Sequence, residues 1–259
     1  MPGHTFPLPG AYPHIINNKP ALKVKGRDNL GMGYTQHGEQ FLLKEGGLVG
    51  IAEFVAAKMC EACGLPVCTP TVVTIERFGQ ITYIFGSRIE AGLRLFDQSS
   101  VLEWQKVTST CLNPSAFSAL FAMDLALGND DRHWDNWLVQ DAMDAQGNPC
   151  LRLRAVDFSR GWPLRHPAQH PLHHISQNTW DAFKDWGMLG VQFDQSVFSQ
   201  TCAKIQSLDA HWLRDRVLGQ LTGIFLTSAQ ADQYCQWWSQ HWRAQVDDAI
   251  DSLENGVRP

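Results

Sequence analysis

The hydrophobic pattern changes period near residue 90, and no other feature of the chain constrains its fold as strongly. Before that point, short runs rich in β-branched and aromatic residues alternate with turn signals. They are ALKVK (21–25), MGYTQ (32–36), EQFLLK (39–44), TPTVVTIER (69–77) and QITYIFGSR (80–88). Runs of this length between GRDNLG, HG and FG turns predict short strands joined tightly. One helix interrupts them: Leu48, Ile51, Val55, Met59 and Cys63 recur at helical spacing, and Gly64 is placed to end it. Beyond residue 90 the period becomes helical. SAFSALFAMDLALG (115–128) begins at Ser115, a good capping residue, and is apolar almost throughout. WDAFKDW (180–186), TCAKIQSL (201–208) and the long DQYCQWWSQHWRAQVDDAIDSL (232–253) carry the same period towards the C-terminus. Between these helices, NWLV and LRLRAVDF flank the polar turn DAMDAQGN as the arms of a hairpin would.

These patterns predict an α+β, bilobal chain. Residues 1–20, rich in Pro and His, form an irregular arm; 21–90 form a small lobe with a five-stranded antiparallel sheet and one helix; 91–259 form a larger, mainly helical lobe. With 44% hydrophobic residues, ten Trp and thirteen Phe, the chain has ample side chains for a core of that size.

Charge and composition exclude several classes. A net charge of -5 supplies no general basic field, so neither nucleic acid nor an anionic membrane is expected as a partner. No apolar run approaches the length of a membrane span, and MPGHTFPLPGAYPH has neither the basic nor the apolar region of a signal peptide. Seven cysteines, an odd number without framework spacing, point to reduced thiols and a cytoplasmic setting.

One stretch concentrates chemistry: GNDDRHWDNWLV, residues 128–139. Phosphoryl transfer needs metal-held phosphates, a carboxylate beside the attacking hydroxyl and a cation on the nucleotide. In a kinase catalytic loop the base Asp precedes a metal-binding Asn by five positions. Asp131 and Asn136 have that spacing, whereas Asp130 does not. Asp157, in AVDFS, stands where a second metal-binding Asp is required. Lys44 ends the third expected strand and Glu53 lies early in the next helix, the order in which a kinase supplies its phosphate-binding Lys and the Glu that holds it. The turn GRDNLG, with Gly26, Arg27, Asn29 and Gly31, lies where backbone N–H groups could meet phosphate oxygens.

The chain resembles the HipA-type kinases, in particular compact members without the N-terminal extension of the full toxin. AEFVAAKMCEACGLPVCTP is similar to that family's Glu-led helix and the strand entry after it; LALGNDDRHWDNWLV and RAVDFS resemble its catalytic and metal loops. QYCQWWSQHWRAQVDDAI resembles its closing helix, and the DRHxxN pattern is shared with phosphoinositide kinases. The resemblance implies an ATP- and Mg²⁺-dependent transfer of the γ-phosphate to a Ser or Thr hydroxyl of a protein substrate. Asp131 would be the base, Asn136 and Asp157 the Mg²⁺ ligands, Lys44 the phosphate-binding cation and Glu53 its orienting partner. His133 would brace the loop or face the transferred phosphate. Two departures stand out: Ser159 occupies the position at which protein kinases usually carry Gly, and RDNLG contains no Ser or Thr to be autophosphorylated.

Other readings remain beside these. The acidic loop could be merely solvated, the acceptor could be a lipid or small metabolite, and the chain could bind nucleotide without turnover. Cys60 and Cys63 form a C-x-x-C, but on an expected helix whose apolar stripe includes Cys63, so packing is favoured over redox or zinc chemistry. His166, His170, His173 and His174 fall in a Pro-containing stretch without fixed spacing and read as a solvated or substrate-facing loop. Asp124 lies within an apolar helix and has no evident role.

Overall fold

The computed structural model describes residues 12–19, 28–95, 100–161 and 177–254. Its first five strands close on themselves. They are β1 (His14–Lys19), β2 (Asn29–Thr35), β3 (Gln40–Lys44), β4 (Thr69–Arg77) and β5 (Gln80–Ile89), in the order β1-β2-β3-β5-β4. Four neighbours pair antiparallel; the barrel is shut by a short parallel contact between β1 and β4, His14 opposite Thr74 and Ile15 opposite Ile75.

This differs from the expected antiparallel sheet in its parallel closure and in its first strand. Residues 14–19, expected to be irregular, supply β1, while the expected first strand ALKVK lies outside the described residues. The reason is visible in burial. Ile15 is the one β1 residue that enters the core, so the segment offers no alternation for a sequence reading to detect. Closure in turn removes the exposed edges that a five-stranded sheet would leave. The interior is small: Ile15, Phe41, Leu43, Val73, Ile75 and Ile84 fill it, and a Cβ at Gly33 would sit 2.6 Å from Leu43 Cδ1. Gly33 therefore lets β2 pass the β3 side chain without a clash.

Helix α1 (Gly47–Cys63) follows β3 and ends at Gly64, whose left-handed backbone (φ 78°) allows Leu65 N–H to donate to the Cys60 carbonyl. Gly50 to Ala57 are all buried, because α1 is covered by β4 and β5 on one side and by the later helices on the other. Cys60 and Cys63 are buried, unpaired thiols; burial pushes the Cys63 thiol up to about 11, which suits packing and not redox exchange.

A second sheet of three strands, β6 (Leu93–Leu95), β7 (Trp137–Met143) and β8 (Pro149–Ala155), contains the expected hairpin, with Trp137 opposite Ala155 at its open end. Around it lie α2 (Val101–Thr110), α3 (Ser115–Leu127), α4 (Gln177–Met188), α5 (Gln195–Ser207), the short α6 (Ala210–Trp212) and α7 (Gly219–Leu221) joined by a π-helical turn, and α8 (Ser228–Glu254). Ser115 is the first helical residue of α3 and not its cap, a place taken by Pro114. α3 is buried along nearly its whole length, and Trp238 and Trp242 of α8 stack at 3.9 Å within the same core that receives α1. No helix among the described residues is long and apolar enough to cross a membrane.

Candidate active site

Strand alternation decides where Lys44 points. Phe41 and Leu43 face the barrel interior, so Leu42 and Lys44 face outwards, and Leu42 packs against Leu138 and Val156 of the β7–β8 region. Lys44 thereby arrives beside α1 and the segment after β8. Its ammonium lies 2.8 Å from Glu53 Oε1 and also pairs with Asp157 Oδ1, although the side chain is only 3% exposed. Glu53 Oε1 accepts a further hydrogen bond from Phe158 N–H at 3.1 Å, and Asp157 Oδ1 accepts one from the Ser159 hydroxyl at 2.9 Å. Ser159, the departure from the protein-kinase pattern, is thus a direct partner of the Asp157 carboxylate.

Three ionisable groups meet here, Lys44 and Glu53 buried and Asp157 partly so, and Lys44 and Asp157 hold each other's charge. Burial works against the Lys44 ammonium, but the two carboxylates outweigh it and its pKa is raised. Burial opposes ionisation of Asp157 too; Lys44 and the Ser159 hydroxyl overcome it and hold the carboxyl at about 2. Glu53 goes the other way, because its complete burial raises its pKa by more than Lys44 lowers it. Asp157 also adopts a left-handed backbone (φ 62°), which costs a non-glycine residue free energy that its surroundings must offset.

Asn136 and Asp157 come together through the hairpin. Asn136 immediately precedes β7 and Val156 immediately follows β8, so the Trp137–Ala155 register sets them opposite each other; Val156 N–H donates to the Asn136 carbonyl at 3.0 Å. Asp157 is the next residue. The Asn136 side-chain amide donates to the Asp131 carbonyl at 2.7 Å, which leaves its Oδ1 as the group it can offer to a cation. A carboxylate and an amide oxygen at one hairpin end are a hard, all-oxygen donor pair. This fits Mg²⁺, which takes one or two protein ligands and completes its shell with water and phosphate oxygens. Among the described residues no cluster of three or more His, Cys, Asp or Glu side chains could hold a metal by itself.

Asp131 and His133 are both partly exposed on the segment that links α3 to β7, and Asp130 beside them is also partly exposed. Asn29 and Gly31, expected in a turn, belong to β2, with Asn29 opposite Lys44 and Gly31 N–H bonded to Asn29 Oδ1 at 2.8 Å. Gly26 and Arg27 lie outside the described residues, as do His166, His170, His173 and His174. Asp28, just ahead of β2, pairs with Arg160 of the metal-loop segment at 3.5 Å.

Sequence reasoning passed over the residues that shape the loop from beneath. Arg132 is fully buried and meets Asp124 of α3 with two donors, Nε to Oδ2 at 2.8 Å and Nη2 to Oδ1 at 3.0 Å. Asn129 Nδ2 donates to the same carboxylate at 2.7 Å, and Thr179 joins the Asn129 carbonyl (2.8 Å) to the Arg132 N–H (3.3 Å). A charged residue within the apolar run of α3 was the available signal: Asp124 needed a buried cation.

The fold is similar to that of a solved kinase. Among solved structures, the chain is similar to the proinflammatory kinase CtkA of Helicobacter pylori, with a TM-score of 0.54 and 14% identity over 95% of this chain and 98% of that one. It also matches HipA of Shewanella oneidensis MR-1, solved with HipB and operator DNA, at a TM-score of 0.48 and 12% identity, covering 92% and 67% of the two chains. WaaP, solved in complex with acyl carrier protein, matches at a TM-score of 0.36 and 14% identity. The fold assignment rests on the first of these. No protein-family model and no curated protein sequence matches the chain.

Proposed function

We propose that this protein is an ATP- and Mg²⁺-dependent kinase that transfers the γ-phosphate to a Ser or Thr hydroxyl of a protein. The observation that carries the reading is the position of Lys44, bound at once to Glu53 of α1 and to Asp157 beside Asn136. A scaffold has no physical need to bury a cation between two carboxylates at the end of a hairpin that also presents an amide oxygen.

In this reading the chain works as two lobes. The barrel and α1 form the nucleotide-phosphate side, and the helices with the β6–β8 sheet form the catalytic side, the join falling near residue 90. Lys44 holds the α- and β-phosphates while Glu53 keeps its ammonium in place. Asp157 and Asn136 would hold Mg²⁺, whose charge would offset that on the transferring phosphoryl group. Asp131 aligns the acceptor hydroxyl and takes its proton as the oxygen–phosphorus bond forms and the bond to the β–γ bridging oxygen breaks. His133 braces the loop or faces the transferred phosphate, and Asn29 and Gly31 lie on the phosphate side. Support for a protein acceptor comes from the motifs shared with HipA-type kinases.

The test is incubation with γ-labelled ATP, Mg²⁺ and a cell lysate, with an Asp131→Asn variant as control. Labelled protein bearing phospho-Ser or phospho-Thr, seen only with the wild type, is the expected result. Label in lipid or small metabolites alone would move the acceptor to that class, and no transfer at all would sink the kinase reading.

A further inference from the structure

Arg132 stands between the two loops that the proposed reaction uses, and nothing in that reaction as written employs it. Its guanidinium makes four hydrogen bonds in a site with no solvent exposure. Two run to Asp124 in the last turns of α3. The other two leave Nη1 for main-chain carbonyls: that of Val156 at 2.7 Å and that of Asn136 at 3.4 Å. These carbonyls belong to a proposed metal-binding residue and to the residue just before the other. The face of the guanidinium lies 4.7 Å from the Phe158 ring, on the far side of Asp157 in sequence. The Arg132 backbone N–H is held in turn by Thr179.

Resting on the kinase reading above, we propose that Arg132 is a positioning residue for phosphoryl transfer. Anchored on Asp124 and Thr179, it fixes the catalytic loop against the metal loop, so that Asp131, Asn136 and Asp157 keep one spacing. The planar fork is the reason Arg stands here. Its rigid donors satisfy a carboxylate on one side and two carbonyls on the other at the same time, whereas a Lys ammonium offers one nitrogen and cannot span them. α3, buried along its length, provides the fixed reference. Transfer depends on placement to within about an ångström, where a misplacement costs on the order of 10²-fold in rate.

The experiment compares Arg132→Lys with the wild type by three readouts: the rate of γ-phosphate loss from ATP per folded molecule, the Mg²⁺ concentration giving half the maximal rate, and the Kd for ATP measured in EDTA. A positioning role predicts a rate lower by about 10- to 100-fold and a raised Mg²⁺ requirement, with metal-free ATP affinity within about twofold. A purely structural residue would lower thermal stability and leave the rate per folded molecule and the Mg²⁺ requirement unchanged, which would overturn the inference. Should Arg132→Lys not fold, Thr179→Val carries the same test. It frees the Arg132 N–H while leaving the guanidinium contacts in place, and wild-type turnover with a wild-type Mg²⁺ requirement in that variant would also overturn it. A wild type that never consumes ATP removes the kinase reading and this inference with it. A wild type that is active beside an equally active Arg132→Lys removes this inference alone.

Discussion

The Lys44 ammonium lies 2.8 Å from the Glu53 carboxylate, and both side chains are at most 3% exposed. Each therefore replaces water for the other, joined by Asp157 on Lys44 and by the Phe158 N–H on Glu53. Removing one charge does not simply delete a contact. It leaves the remaining charges desolvated, so activity and stability are coupled at this site.

Lys44→Met is expected to abolish phosphate turnover and to lower stability by about 3–5 kcal/mol, the cost of breaking a buried pair. Glu53→Gln keeps an acceptor for the Phe158 N–H and keeps Lys44 charged, so it loses less of both. The double variant should regain part of the stability lost in Lys44→Met, because no unpaired Glu53 carboxylate remains, but none of the activity. Urea unfolding with γ-phosphate release distinguishes these outcomes; additive stability losses would mean that the pair is not coupled.

Asp131→Asn should reduce transfer by about 10²- to 10⁴-fold, the usual contribution of a placed base. Stability should hardly change, since Asp131 receives the Asn136 amide on its backbone carbonyl and not its carboxylate. Asp130→Asn should be far milder. If the two variants exchanged severity in a labelled-ATP assay, the register of the loop would need to move by one residue.

Asp157 gives a dependence on acid. Its folded pKa of about 2 lies below the ordinary 3.8, so its ionised form stabilises the fold above pH 4, and that contribution disappears as pH falls from about 4 to 2. The shift corresponds to about 2 kcal/mol. In metal-free buffer, chemical denaturation from pH 6 to pH 2 should therefore show a steeper loss for the wild type than for Asp157→Asn. The same variant should need more Mg²⁺ for any residual activity; parallel pH curves would contradict the first expectation, and an unchanged Mg²⁺ requirement the second.

The cysteines should be silent in the native protein. Cys60, Cys63, Cys68, Cys150, Cys202 and Cys235 are buried, and burial pushes Cys68 and Cys202 up to about 12. Ellman's reagent at pH 8 should titrate at most the partly exposed Cys111 before unfolding and all seven thiols afterwards. Rapid native reaction at Cys60 or Cys63 would reopen a redox role for the C-x-x-C.

The sequence by itself determined the order and kind of most elements, because those depend on neighbours two to four positions apart. A short apolar run between turn signals marked β3 and placed Lys44 at its end, helical spacing marked α1 and placed Glu53 in it, and the polar turn between two apolar runs marked the β7–β8 hairpin. Five-residue spacing likewise singled out Asp131 and Asn136. Tertiary structure alone decided the rest. β1 has one buried residue and owes its pairing to β2 and β4, so it has no local signature. Barrel closure depends on a two-residue contact between strands about sixty positions apart. Arg132 reads as one more charge in a polar loop until α3 brings Asp124 beneath it, and the contact of Asp157 with Lys44 exists only once the fold carries the segment after β8 to the end of β3. A side chain's type fixes what it can bond to, but whether water or a distant partner supplies that bond is settled by burial, which only the assembled fold creates.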